Sequence, residues 1–451
     1  MNFLKELTNS EVTLTPVDVK KINDRSEVNL ADQTSDELDD EGKHWDAFFQ
    51  SSCTSWFEHI KDFTFSSTFC TLLPSEALVI VEHWDALRKL RIRLAQDEAS
   101  PGQIEEAETN LYITATAKLE DLQTRLETAI AVETALSPVG KAFVKLTTRS
   151  PKDSRKALKK AEEACQSRFT KDLATQSSNN DDSMAANTRW RILSEEMANA
   201  CAVSTASDAL ELLLDSERVY EDLEFALRGK PTSSNKAPPR STIVPTMDSV
   251  TAPEKQTPLM DDNATLATSV SSSILTSSPP SLPFDERLHL VARSWDPRLK
   301  PENEFRGICQ DGQLTCLCQY FHPILFPDLP GQGDEIQADI FALFENPQVK
   351  AAVLSVGNNC IIDFAWLGSG DVMIIELNPF DGVCLGVFPA STGLFIWDNP
   401  VDKAIMSGEA PFEFRYRKEL LPKHMLLRQC AKDWVNIIYP PSKSVKKEPL
   451  C

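Results

Sequence analysis

Apolar residues first gather between Trp45 and Ile80, where Trp45, Phe48, Phe49, Trp56, Phe57, Phe63, Phe65 and Phe69 crowd into a short stretch. Side chains of this size need burial, so folded structure is expected to begin there. From Ile104 to Leu136 the spacing is helical, with Leu119, Leu122, Leu126 and Ile130 recurring at three- and four-residue steps. Ala142–Thr148 changes to strand composition. Pro151–Cys165 reads as a helix opened by proline, and Ala206–Leu227 as another, with Leu210, Leu213 and Leu214 clustered. Ser, Asn and Asp fill residues 174–186, which read as a loop.

In the second half, Leu288–Trp295 reads as a strand. Phe305–Ile308 and Leu314–Gln319 are predicted to pair around Asp311-Gly312, residues suited to positive φ. Two more β-rich runs, Cys360–Leu367 and Val372–Phe380, flank Gly368-Ser369-Gly370-Asp371. Helical and strand regions mix without strict alternation, which favours an α+β fold over a doubly wound parallel sheet.

Polar stretches set the domain boundaries. Residues 1–42 are an acidic tail, and 229–283 are crowded with Pro, Ser and Thr. Such a segment cannot offset its ordering entropy by burial, so a disordered insertion is expected between folded parts at 43–228 and 284–440. A short basic tail, 441–451, closes the chain.

The 451 residues are 41% hydrophobic and 25% charged, values suited to a soluble protein with a substantial core. A net charge of −21 repels phosphates, which excludes broad nucleic-acid or acidic-membrane binding but leaves room for a local basic pocket. No apolar run approaches the ~20 residues that span a bilayer. Met1 to Glu6 has no basic segment leading into an apolar run, and Cys451 stands last, where a prenylation box needs three residues after its cysteine. Eleven cysteines without framework spacing suggest free thiols in a reducing compartment, and Cys316-x-Cys318 reads as buried strand cysteines rather than a zinc site. A cytoplasmic protein is expected.

The chemistry gathers at the last hairpin. If Gly368 faces Asp371 across a two-residue loop, Leu367 lies opposite Val372 and Asp363 opposite Glu376. Alternation then puts Asn378 on the Glu376 face, among Ile361, Ala365, Val372 and Ile374. Two carboxylates paired on an apolar face need a cation, or one must hold a proton. Oxygen ligands short of positive charge describe a Mg²⁺ site, which normally recruits substrate phosphates as well. Elsewhere, Lys145 alternates with Val144 and Leu146 in a strand, followed by the cation- and hydroxyl-rich loop Arg149-Ser150-Pro151-Lys152-Asp153. That combination suits a polyphosphate or an ordinary surface loop, and no Walker A sequence occurs. Arg293 and Arg306 also stand between strand residues, where each is either an ion-pair partner, for instance of Glu304, or a phosphate contact.

Taken in order, Trp56-Phe57, Thr64-Phe65, Phe143–Asp153, Ser207–Ser216, Leu290–Trp295, Glu304–Arg306 and Ile375–Phe380 resemble the motifs of the cell division cycle protein 123 family. The resemblance implies an ATP-grasp-like fold with ATP between two lobes. It assigns phosphate contact to Lys145, with Thr148, Ser150, Lys152 and Asp153 in the adjoining loop. It sets Leu290, Val291 and Arg293 at an adenine-side hinge, Arg306 near the phosphates, and Asp363, Glu376 and Asn378 on Mg²⁺. Members assemble eukaryotic translation initiation factor 2 by binding its gamma subunit, and so support cell-cycle progression. The expected partner is therefore that subunit, with the chain otherwise a monomer and no direct nucleic acid or membrane partner. This chain departs from the family pattern at Thr148, where tryptophan is usual, and at Ser150, Lys152, His289 and Glu376. The alternative function is an ATP-grasp ligase that joins a carboxylate to an amine through an acyl-phosphate.

Overall fold

A computed structural model describes residues 45–46, 48–50, 52–96, 100–175, 182–229, 284–285, 287–380, 392–397, 399–430 and 432–439. All belong to the compact unit formed by 40–230 and 282–451, one of two into which the chain divides. The two predicted tails, and the predicted insertion except Gly229, lie outside the described residues.

The first sheet contains β1 (Ser67–Thr71), β2 (Ala142–Leu146), β3 (Ala202–Val203) and β4 (His289–Ser294), in the order β1-β4-β2-β3 and antiparallel throughout. Alternation gives it two different faces. Ala142, Val144, Leu146, Leu290 and Ala292 are buried with Leu122, Leu126 and Ile130 of the helix Glu120–Leu136, which packs across β4 and β1. Each fully buried leucine contributes about 1.5–3 kcal/mol. The other face carries Phe143, Lys145, Val291 and Arg293.

The helices differ from their expected bounds where polar residues intervene. Ile104–Leu136 is two helices, Pro101–Thr116 and Glu120–Leu136, because the apolar spacing runs straight across the turn at 117–119. Ala206–Leu227 is also two, Ala206–Leu214 and Glu217–Arg228. Here Ser216 caps the second helix by accepting from Val219 N at 3.2 Å. Within the predicted loop at 174–186, a helix instead begins at Asp182 and runs to Ala200. Its buried stripe of Ala186, Trp190, Leu193 and Met197 outweighs the poor helix propensity of its first turn.

The second sheet contains β5 (Glu304–Gln310), β6 (Gln313–Gln319), β7 (Cys360–Trp366), β8 (Val372–Pro379) and β9 (Glu413–Arg415), in the order β8-β7-β5-β6-β9. Only the β6–β9 pair is parallel. Asp311 and Gly312 make the predicted turn between β5 and β6, with φ of 50° and 74°. Phe305, Gly307, Ile362 and Phe364 share the face that packs with Ile336, Ile340, Phe344 and Val353 of the helices Leu329–Phe344 and Pro347–Ser355. The opposite face holds Arg306, Asp363 and Cys318, with Ile308, Ile361 and Cys316 in an apolar cluster beside them. The fold is thus α+β, with two separate sheets among the described residues. Among the described residues, no helix is long and apolar enough to cross a membrane.

Gly307 allows the helix-side layer to close, since a Cβ there would meet Leu314 Cδ1 at 2.6 Å and the Phe364 ring at 3.1 Å. Gly307→Val is expected to lower unfolding free energy by about 1–3 kcal/mol through overpacking. Urea denaturation should show a lower midpoint with an unchanged slope; an unchanged midpoint would contradict this packing.

Candidate functional site

The hairpin between β7 and β8 reaches the expected carboxylate pairing by an unexpected route. Leu367 N donates to Asp371 O at 2.8 Å and Asp371 N to Gly368 O at 2.9 Å, so Gly368-Ser369-Gly370 is a three-residue loop. Gly370 takes the left-handed position, φ 71°, that such loops require. The loop is one residue longer than expected, so Trp366 rather than Leu367 faces Val372. A β-bulge then restores the register: Phe364 faces Ile374, Asp363 faces Glu376, and Ile375 is left unopposed. The two shifts cancel at the carboxylates. Val372 and Ile374, expected on the carboxylate face, pair with Trp366 and Phe364 and turn to the other.

Arg293 braces this bulge. It is 4% exposed, and its Nη1 donates to the carbonyl of Ile375 at 2.7 Å, giving the bulged residue the partner the ladder lacks. Nη2 donates to Thr64 Oγ1 at 2.7 Å, and Thr64 donates in turn to Ile374 O at 2.6 Å. Burial lowers the pKa of this guanidinium, with Cys53, Glu376 and Glu133 opposing. Arg293, expected at the nucleotide hinge, is therefore committed to holding β8 against the first sheet. Leu290 and Val291 are also committed. Strand β4 lies between β1 and β2 and pairs with both, so the ladder engages the backbone expected to read adenine. The Leu290 side chain points to the helix side, away from Lys145.

Charged groups meet between the sheets. Lys145 is 2% exposed, and its Nζ donates to Glu376 Oε2 at 2.8 Å. Arg306 grips Asp363 with a two-toothed fork, Nε to Oδ1 and Nη2 to Oδ2, both at 2.7 Å. The sequence left open a pairing of Arg306 with Glu304, but the register puts Asp363 directly across from it. Asn378 turns its Nδ2 to Glu376 Oε1 at 3.3 Å, leaving its carbonyl oxygen as the group's other pole. Tyr320, which sequence reasoning missed, lies beneath both Arg306 (4.7 Å from ring centre) and Lys152 (5.7 Å). Lysine spacing within the loop gave no sign of that contact.

The acids respond in opposite ways. Burial works against the Glu376 charge, but Lys145 and Lys152 outweigh it and hold this carboxyl well below the usual range. Burial raises the pKa of Asp363, with Arg306 opposing and Glu376 adding to the rise. Burial pushes Glu304 up to about 7, with Lys152 opposing and Asp363 and Glu376 reinforcing. The sequence argument assigned the compensating charge to a metal, whereas each paired carboxylate has a protein cation of its own. The donor set still fits Mg²⁺ in chemistry. Two carboxylates keep unused lone pairs, since each oxygen bound to Arg306 or Lys145 takes one N–H, and the Asn378 carbonyl adds a third oxygen.

The loop after β2 divides in two. Lys152 is exposed and acts on the carboxylates. Thr148, Asp153 and Ser150, expected at the phosphates, are engaged otherwise or buried. Thr148 Oγ1 donates to Asp222, which also accepts Arg149 Nε at 2.6 Å. Asp153 accepts Ser216 Oγ at 2.5 Å and Arg218 N at 3.0 Å, capping the start of the helix Glu217–Arg228. Ser150 is buried at 7% exposure. The structure thus gathers Lys145, Lys152, Arg306, Asp363, Glu376 and Asn378, and uses the other six predicted residues for scaffolding or buries them.

No family model matches the sequence, and no curated protein matches it. Two solved structures of Cdc123 from Schizosaccharomyces pombe, one of them C-terminally truncated, align with the chain at 14% identity and a TM-score of 0.42. Each alignment covers 83% of this chain and 98% of the other.

Glu304 generates a pH prediction. Its folded value near 7 exceeds the ordinary carboxyl value of 4.5, so the folded state holds more protons between them and loses stability as pH rises through that window. Glu304→Gln imitates the protonated form and is expected to gain stability relative to wild type from pH 5 to pH 8. Urea midpoints measured across that range check the sign; parallel curves would mean that Glu304 titrates normally.

Proposed function

We propose that this chain binds Mg-ATP in the cleft between its two sheets and serves as an assembly chaperone for translation initiation factor 2, with the gamma subunit as client. The nucleotide half is carried by one observation: Lys145 of the first sheet meets Glu376 of the second at 2.8 Å, beside Asp363 and Arg306. Cations and oxygen ligands from two different sheets converge on one point, as a polyphosphate carrying a divalent ion requires. Bound Mg²⁺ would supply positive charge shared between the carboxylates and the phosphates.

The chain's own residues then exchange partners. Glu376 and Asp363 offer their remaining lone pairs to the cation, with the Asn378 carbonyl beside them. Lys145, relieved of part of its pull from Glu376, offers its ammonium to phosphate oxygen as a point charge. Lys152 approaches from the exposed loop. Because these groups sit on separate sheets, a ligand held by both would resist their separation. A ligand at a hundredfold excess over its dissociation constant adds about 2.7 kcal/mol to folding stability. This suits a chaperone whose nucleotide braces a client-binding shape. The client half rests on the ordered sequence motifs that resemble the family of initiation-factor assembly proteins.

Calorimetry tests the first half. Wild type is expected to bind Mg-ATP, and Lys145→Met and Asp363→Asn to weaken that binding at least tenfold, about 1.4 kcal/mol. Unaltered affinity in both variants would remove the cleft from the reading. For the second half, the tagged full chain should capture the gamma subunit from native cytosol. Consistent recovery of a different protein would reject that client.

A further inference from the structure

Arg417 follows β9 and is anchored at two points. Its backbone N donates to Gln319 Oε1 at 2.7 Å, and its Nε to the carbonyl of His322 at 2.6 Å. Gln319 is itself fixed, with Nε2 donating to Phe321 O and Ile324 O at 2.7 Å each. The guanidinium is half-buried, and burial alone lowers its pKa. Among the described residues, nothing accepts a hydrogen bond from Nη1 or Nη2. A half-buried guanidinium with both terminal nitrogens unused is costly unless water or a ligand meets them.

Its place in the fold is the β6–β9 end of the second sheet. Arg415 lies beside Cys318, which lies beside Arg306, which faces Asp363, so one transverse row crosses four strands. Past the end of β9, the bond from Arg417 Nε to the His322 carbonyl sets the guanidinium beside the turn that follows β6, two residues beyond Tyr320. Tyr416 turns the other way, its ring 3.2 Å from where a side chain on Gly333 would begin. Burial lowers the pKa of His322, with the backbone bond to Tyr320 opposing and the charges of Arg417 and Arg306 adding to the fall. Arg306 is spent on Asp363, whereas among the described residues Arg417 has no acid partner. A chain of net charge −21 thus sets Lys152 and Arg306 over the Tyr320 ring, and Arg306 and Arg417 near His322 two residues on. Lys152 is met by Glu304 and Glu376 and Arg306 by Asp363, so Arg417 carries the charge that remains to attract a small anion.

We propose that Arg417, with Lys152, forms an oxyanion-binding corner at the β6–β9 end of the cleft, taking phosphate or carboxylate oxygens on Nη1 and Nη2. The planar fork matches either anion in a bidentate geometry. The oxyanion is either the terminal phosphate of a cleft-bound nucleotide, in which case the corner deepens the Mg-ATP reading, or a separate small anion.

Tripolyphosphate without magnesium is the probe, titrated calorimetrically into the full chain and into Arg417→Gln and Arg417→Lys. Wild type is expected to bind it, Arg417→Gln to lose about fivefold or more in affinity, and Arg417→Lys, which keeps charge without the fork, to fall between. Should Arg417→Gln fail to fold, Arg417→Lys carries the comparison. Parallel titrations identify the source. A matching loss for Mg-ATP but not AMP assigns the oxyanion to the nucleotide, and an unchanged Mg-ATP affinity assigns it to a separate anion. Tripolyphosphate binding that depends on Arg417, in a wild type that ignores Mg-ATP, would sink the nucleotide reading and keep the corner. Equal tripolyphosphate affinity in wild type and variants, or none in wild type, overturns the corner even if Mg-ATP binds.

Discussion

Asp363 and Glu376 stand side by side on adjacent strands, and two cations from different directions keep them there. Arg306 comes from the next strand of the same sheet and Lys145 from the other sheet. Without those partners the buried Asp363 and the partly buried Glu376 would repel one another, and removing one member of a buried pair such as Arg306–Asp363 typically costs about 3–5 kcal/mol. The electrostatics therefore tie the position of one sheet to the other. Any ligand that meets the carboxylates also meets the lysine, and the two sheets respond together.

Beneath the charge pairs lies a backbone irregularity. Asp363 faces Glu376 because a bulge at Ile375 absorbs one residue, and the bulge persists because Arg293 accepts the cost of burial to satisfy its carbonyl. Thr64 completes the join by donating to Ile374. Thus a buried arginine that forms no ion pair among the described residues has a structural explanation, in the orphaned backbone group it serves.

Much of this was legible in the sequence, and the failures have physical causes. The α+β class, the strands around Lys145 and Arg293 and the Asp311-Gly312 turn follow from alternation and turn chemistry. The Asp363–Glu376 pairing also follows, though a simple hairpin reaches it with the wrong loop, since nothing in Ile375 announces a bulge. The family resemblance alone sets Thr148 and Asp153 at the phosphates. Their real partners, Asp222 and the helix start at Ser216, are about seventy and sixty residues away. The resemblance sets Leu290 and Val291 at a hinge, and a sequence cannot say whether such a strand is at the edge or in the middle of its sheet. Long-range side-chain commitments and strand order are the information that local pattern lacks.

The tether between the Thr148–Asp153 loop and the helix Glu217–Arg228 carries one more implication. Arg149 and Thr148 are held by the buried Asp222, and Asp153 by the helix start, so folding itself fixes the loop that presents Lys152. A loop ordered in advance surrenders little conformational freedom when an anion arrives. Selectivity at this edge then comes from the shape already set in the resting protein, with the long, exposed Lys152 side chain as its adjustable part.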